Sequence, residues 1–139
     1  MSQQENTDKS DWPPVFSADA IEHMERPRNV GSIDRPDGVA IITGSCGDTM
    51  EFWLRINNGS IIDIKFWTDG CETTVAAGSI TTLLAKDKPV GEAFKINQYD
   101  VLDALGGLPE GSEHCAALAA KTLKAALSDY LEFKNDPWQ

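Results

Sequence analysis

Three cysteines carry the chemical interest of this chain, and each stands where a strand or a helix is expected to begin or end. Cys46 lies in Gly44-Ser45-Cys46-Gly47-Asp48, with a thiol and a carboxylate two positions apart among glycines. Glycine tolerates φ > 0 and lets backbone come close to a bound group. The thiol is a soft ligand or nucleophile, and the carboxylate a hard ligand or base. Cys71 follows Asp69-Gly70 at the passage from a strand into a helix, and Cys115 follows His114 in the first turn of another helix. Helix N-termini present unpaired N–H groups and partial positive charge, so Cys71 and Cys115 are expected to favour thiolate.

A single such cysteine is more often a small buried hydrophobe. Three at element ends, one beside Asp48 and one beside His114, point instead to a shared site. Three thiols with a carboxylate and an imidazole suit tetrahedral zinc. They equally suit an iron–sulfur cluster with one non-cysteine ligand. No Cys-x-x-Cys is present, which excludes zinc-ribbon and ferredoxin patterns. A permanent electron carrier would use four cysteines; a harder ligand in place of one suggests a cluster meant to leave.

The totals narrow the field. A chain of 139 residues suits one domain with one modest core. The formal net charge of -10 disfavours nucleic acid and anionic membrane as partners. No apolar run approaches a membrane span, and the polar, acidic N-terminus resembles neither a secretory signal nor a basic transit peptide. A cytoplasmic location is the resulting expectation. An odd number of cysteines argues against a disulfide framework.

The elements that must position the thiols follow from patterning. Ser17 is a good N-cap for a helix from Ala18 to about Glu25, which Pro27 stops. Ile21 and Met24 are expected on its apolar side and His23 on its polar surface. A short strand at 39–43 leads into the glycine loop, and strands follow at 49–57 and 61–68. Met50, Phe52, Leu54 and Ile56 share one face, as do Ile62, Ile64 and Phe66. Asn58-Gly59 signals a hairpin. A strict two-residue turn would set Leu54 opposite Asp63 and bury a charge. A three-residue loop at 57–59 is therefore expected, with Leu54 opposite Ile62 and Glu51 opposite Lys65. Trp53 and Trp67 then share the polar face, under other chain or a partner.

A helix begins at Glu72 and is closed by Pro89, with Val75, Ala76, Ile80, Leu83 and Leu84 inward. Its run Ala76-Ala77-Gly78-Ser79 signals close approach to a neighbour. A shorter helix covers Gln98 to Leu105. Ser112 caps a long final helix whose Leu118, Leu123, Leu127, Tyr130 and Leu131 face the core. Residues 1–16, including Trp12, are expected to form a flexible tail, 17–134 the folded domain, and 135–139 a frayed end.

At residues 26–32 (Arg26-Pro27-Arg28-Asn29-Val30-Gly31-Ser32), Cys46-Gly47-Asp48, Asp69-Gly70-Cys71 and Glu113-His114-Cys115, in this order and spacing, the chain resembles the IscU/NifU N-terminal family of iron–sulfur cluster assembly scaffolds. The resemblance spans about residues 16–132. It implies an α+β fold, a small antiparallel sheet of about three strands packed with helices, with the cysteines at one end. It implies a scaffold, not a turnover enzyme. Such a scaffold receives iron, takes persulfide sulfur from a pyridoxal-phosphate cysteine desulfurase, and passes a [2Fe–2S] cluster to apo-proteins.

By motif, Cys46, Cys71 and Cys115 are ligands, and Cys115 is also a candidate persulfide acceptor. Asp48 keeps iron loading and cluster release easy, and His114 is an alternative ligand. Apo members of the family often hold zinc in the same site, and which metal a purified sample carries stays open. The family's Leu-Pro-Pro-Val-Lys docking motif for an Hsp70 chaperone is here Leu108-Pro109-Glu110-Gly111-Ser112, which puts chaperone-assisted release in doubt. The long insertion and missing histidine of the SufU branch are not found here. The fourth ligand, Asp48 or His114, and dimerisation around a shared cluster stay open. A zinc-stabilised interaction module and a single-cysteine sulfur-transfer protein are the alternatives.

Overall fold

The computed structural model describes residues 16–135; Trp12 with residues 1–15, and residues 136–139, lie outside the described part. Helix α1 (Ala18–Glu25) opens on Ser17, whose hydroxyl accepts the Ala20 N–H at 3.0 Å. Strands β1 (Gly38–Thr43), β2 (Thr49–Asn57) and β3 (Ser60–Thr68) form an antiparallel sheet in the order β1-β2-β3. Helices α2 (Glu72–Ala85), α3 (Val90–Ala93), α4 (Gln98–Ala104) and α5 (His114–Asn135) complete the chain. Helix α2 packs on β3, and α5 on β1 and β2. Met50, Phe52, Leu54, Ile64 and Phe66 are buried beneath them with Leu123 and Leu127 of α5, as period-two alternation requires. Ile41 and Trp67 are exposed and Trp53 is half-buried, on the sheet's other face.

The hairpin corrects the expected register. Asn57 pairs with Ser60, so the turn is the two-residue Asn58-Gly59, both at positive φ (54° and 76°). The charge is kept out by a bulge. Ile56 opposes Ile61, yet Arg55 opposes Asp63, and Ile62 is the extra residue, 43% exposed. Beyond the bulge Leu54 faces Ile64, not Ile62, and Glu51 faces Trp67, not Lys65. One extra residue thus restores the inward phase of Ile64 and Phe66 that a strict two-residue hairpin would lose.

Helix α2 also departs from expectation. It ends at Ala85, well short of Pro89, which instead precedes the one-turn α3. Leu83 is 45% exposed, because the buried face of α2 is made of small and hydroxyl residues: Thr74, Ala77, Gly78, Thr81 and Thr82. Thr81 donates to Ala77 O at 2.7 Å and Thr82 to Ser79 O at 2.6 Å, which allows both hydroxyls to be buried. Helix α5 begins at His114, one residue after the expected start, with the Cys115 N–H donating to Ser112 O.

Ile21 is exposed, and His23 is not a surface residue. His23 is 6% exposed, and its Nδ1 lies 2.7 Å from Ser79 Oγ, which also accepts the Arg28 N–H at 2.8 Å. Asn29 Nδ2 donates to Thr82, and the Gly31 N–H donates to Phe66 O. Residues 26–32 therefore strap α1 and the β3 edge to α2.

Burial, with Arg28 nearby, lowers the His23 pKa from 6.5. Below that value the unfolded chain takes up the proton more readily, so stability is complete above about pH 6.5 and falls as the pH drops further. Urea unfolding of His23→Gln is expected to show a flatter loss of stability between neutral and mildly acid pH than the parent. An identical slope would contradict this.

Candidate metal centre

The end of the sheet that carries the β1–β2 connection also carries the thiols. The Gly44–Asp48 loop is closed by Gly44 N–H to Asp48 O at 2.7 Å and Gly47 N–H to Gly44 O at 3.0 Å. Asp69 ties the end of β3 to the start of β2, accepting the Thr49 N–H on Oδ1 at 2.8 Å. Gly70 then lets the chain pass between this loop and α2. A Cβ there would fall 2.7 Å from Asp48 Oδ2 and 2.7 Å from Thr74 Cβ. Cys71 emerges as the exposed N-cap of α2. Cys115, in the first turn of α5, faces it from the other helix.

Three of the expected residues meet around a residue that the sequence reading passed over. Thr74 Oγ1 donates to Asp48 Oδ2 at 2.7 Å, and lies 3.3 Å from Cys115 Sγ and 3.8 Å from Cys71 Sγ. The available signal was its spacing, three residues into the helix from Cys71. Cys46 and His114, both exposed, share an open cleft of about 190 Å³ that Leu118 and Lys121 also line. Lys121 was missed as well; it lies two helical turns beyond His114, on the same face. The charges of Cys71, Asp48 and Cys46 all act on Cys115, in keeping with one shared neighbourhood. Among the described residues, however, no three His, Cys, Asp or Glu side chains are gathered closely enough to hold an ion as they stand.

The two helix-start cysteines differ, which corrects the expectation that both favour thiolate. For Cys71, partial burial opposes ionisation, but the N–H groups of Thr74 and Thr73 and the Thr73 hydroxyl outweigh it and the pKa falls below 9.0. Cys115 is only 2% exposed, and its burial pushes its thiol up to about 11, reinforced by the surrounding negative groups. Iodoacetamide at neutral pH is therefore expected to modify Cys46 and Cys71 well before Cys115. Peptide mapping that found Cys115 labelled first would contradict the arrangement.

A small three-stranded sheet under helices, bearing thiols and a carboxylate at one end, defines an α+β protein with a candidate soft-metal site. The NifU-like N terminal domain family matches residues 15–136, and the chain belongs to that family. It is 42% identical over 117 residues to a protein of Archaeoglobus fulgidus named iron-sulfur cluster assembly scaffold protein IscU 1, covering 84% of this chain and 76% of that one. It is 38% identical over 121 residues to the iron-sulfur cluster assembly scaffold protein IscU of Escherichia coli, covering 84% of this chain and 94% of the relative. The fold is similar to that of the N-terminal NifU-like protein of Brucella abortus, with a TM-score of 0.65 at 18% identity over 84% of this chain and 94% of that one.

Proposed function

We propose that this chain is a scaffold on which a labile [2Fe–2S] cluster is built and from which it is passed on, a carrier and not a turnover enzyme. The observation that carries the reading is the meeting of Asp48, Cys71 and Cys115 at one hydroxyl, in a member of the NifU-like family. Cys46, Cys71 and Cys115 supply thiolates to the cluster, and Asp48 or His114 the fourth position. The cluster is cargo. Its iron arrives as ferrous ion and its sulfur as persulfide from a pyridoxal-phosphate cysteine desulfurase. Each sulfane sulfur takes up two electrons from an external reductant to become sulfide. Cys115 is the proposed persulfide acceptor. Because it is buried, local opening must come first.

Apo iron–sulfur proteins are the proposed recipients. Release is proposed to need no dedicated Hsp70, since residues 108–112 keep only Leu-Pro of the docking motif. A reducing cytoplasm fits three free thiols. Zinc takes the same thiols in the absence of iron.

Chelation separates this reading from a zinc-stabilised module. Thermal melts with and without a chelator are expected to differ by a few degrees at most. Loss of the cooperative transition on chelation would favour structural zinc, which supplies folding free energy outright. Cluster transfer to an apo-ferredoxin is expected to proceed without ATP and to fail in Cys46→Ser. A protein that merely relays sulfur through one cysteine would tolerate that change.

A further inference from the structure

Thr74 does something that the other buried hydroxyls of α2 do not. Thr81 and Thr82 return their protons to carbonyls of their own helix, whereas Thr74 sends its proton to a carboxylate on the β1–β2 loop. A hydroxyl has one proton and two lone pairs. With the proton committed to Asp48 Oδ2, the contacts to Cys115 Sγ and Cys71 Sγ fall to the lone pairs. The side chain is fully buried, and its β-branch leaves χ1 little freedom. Its Cβ and Cγ2 fill the space in which a Cβ on Gly70 would lie.

We propose that Thr74 is a positioning residue for the metal site, holding one oxygen of Asp48, leaving the other for the ion, and tying the Gly44–Asp48 loop to α2 beside Cys115. The part concerning metal rests on the function proposed above; the tether itself does not. Partners that orient ligands in this way are worth about 10- to 100-fold in metal affinity.

The test compares Thr74→Val, nearly isosteric but without a hydroxyl, with Thr74→Ser, which keeps it. Anaerobic titration with Co²⁺, read by sulfur-to-cobalt charge-transfer absorption, is expected to show Thr74→Val binding roughly 10- to 100-fold more weakly than the parent. Thr74→Ser should restore most of the loss, and adding Thr74→Val to Asp48→Ala should weaken binding no further. Parental affinity in Thr74→Val, or no rescue by serine, would overturn the proposal. A second readout needs no metal. Iodoacetamide should label Cys115 of the metal-free protein several-fold faster in Thr74→Val, and at the parental rate in Thr74→Ser. If the parent binds no Co²⁺ at all, the functional reading fails; the labelling rates then decide the tether, and equal rates in parent and Thr74→Val overturn it.

Discussion

Alanine at position 78 is expected to lower the unfolding free energy by about 2 kcal/mol. Gly78 faces the ring of Phe66, and a Cβ there would lie 2.4 Å from Cε2 and 2.5 Å from Cδ2. Phe66 is fully buried and has nowhere easy to go, since its ring packs against Phe52 with centroids 6.1 Å apart at 48°. Overpacking of a closed core costs about 3 kcal/mol in such a case. The better helix propensity of alanine returns about 1 kcal/mol of it. Denaturant unfolding measures the difference. Combining Gly78→Ala with Phe66→Leu should recover part of the loss, because the clash is with the ring. A Gly78→Ala protein as stable as the parent would show that α2 and β3 are not in this contact.

The second large effect concerns Asp48. Alanine there should lengthen the lifetime of a bound cluster by on the order of tenfold, because the hard oxygen among soft sulfurs is removed. The same change should weaken the first capture of a free divalent ion, to which a carboxylate is a good ligand. Affinity for the ion and persistence of the cluster therefore move in opposite directions. The decay of visible absorption after anaerobic reconstitution reads the second quantity. An unchanged or shorter lifetime would remove Asp48 from the release step.

Much of this was legible in the chain. The bounds of α1 and β2 and the small-residue contact of α2 follow from caps, alternation and spacing, and the shared end of the three cysteines from the family resemblance. Other features were not, for physical reasons. The bulge at Ile62 is a compromise between turn chemistry, which fixes Asn58-Gly59, and burial, which fixes Leu54 against Ile64; neither alone reveals it. His23 looked like surface because its partner, the Ser79 hydroxyl, lies 56 residues away. Leu83 looked buried because size suggests an inward residue, whereas the close approach at Gly78 selects small ones. Cys115 looked like a thiolate because its helix start is visible in sequence and its burial is not. Thr74 was legible only as a first-turn residue of its helix, because a threonine there is ordinary until its hydroxyl is seen to reach Asp48.

Anaerobic incubation of the metal-free protein with ferrous iron, cysteine, a reductant and a pyridoxal-phosphate cysteine desulfurase tests the scaffold reading most directly, followed by absorption and Mössbauer spectroscopy. The expected result is a visible-absorbing [2Fe–2S] cluster that is lost on exposure to chelator or an apo-acceptor, and that fails to form when Cys46, Cys71 or Cys115 is replaced by serine. A protein that gains no cluster under these conditions, or whose cluster forms equally well without those thiols, would contradict it.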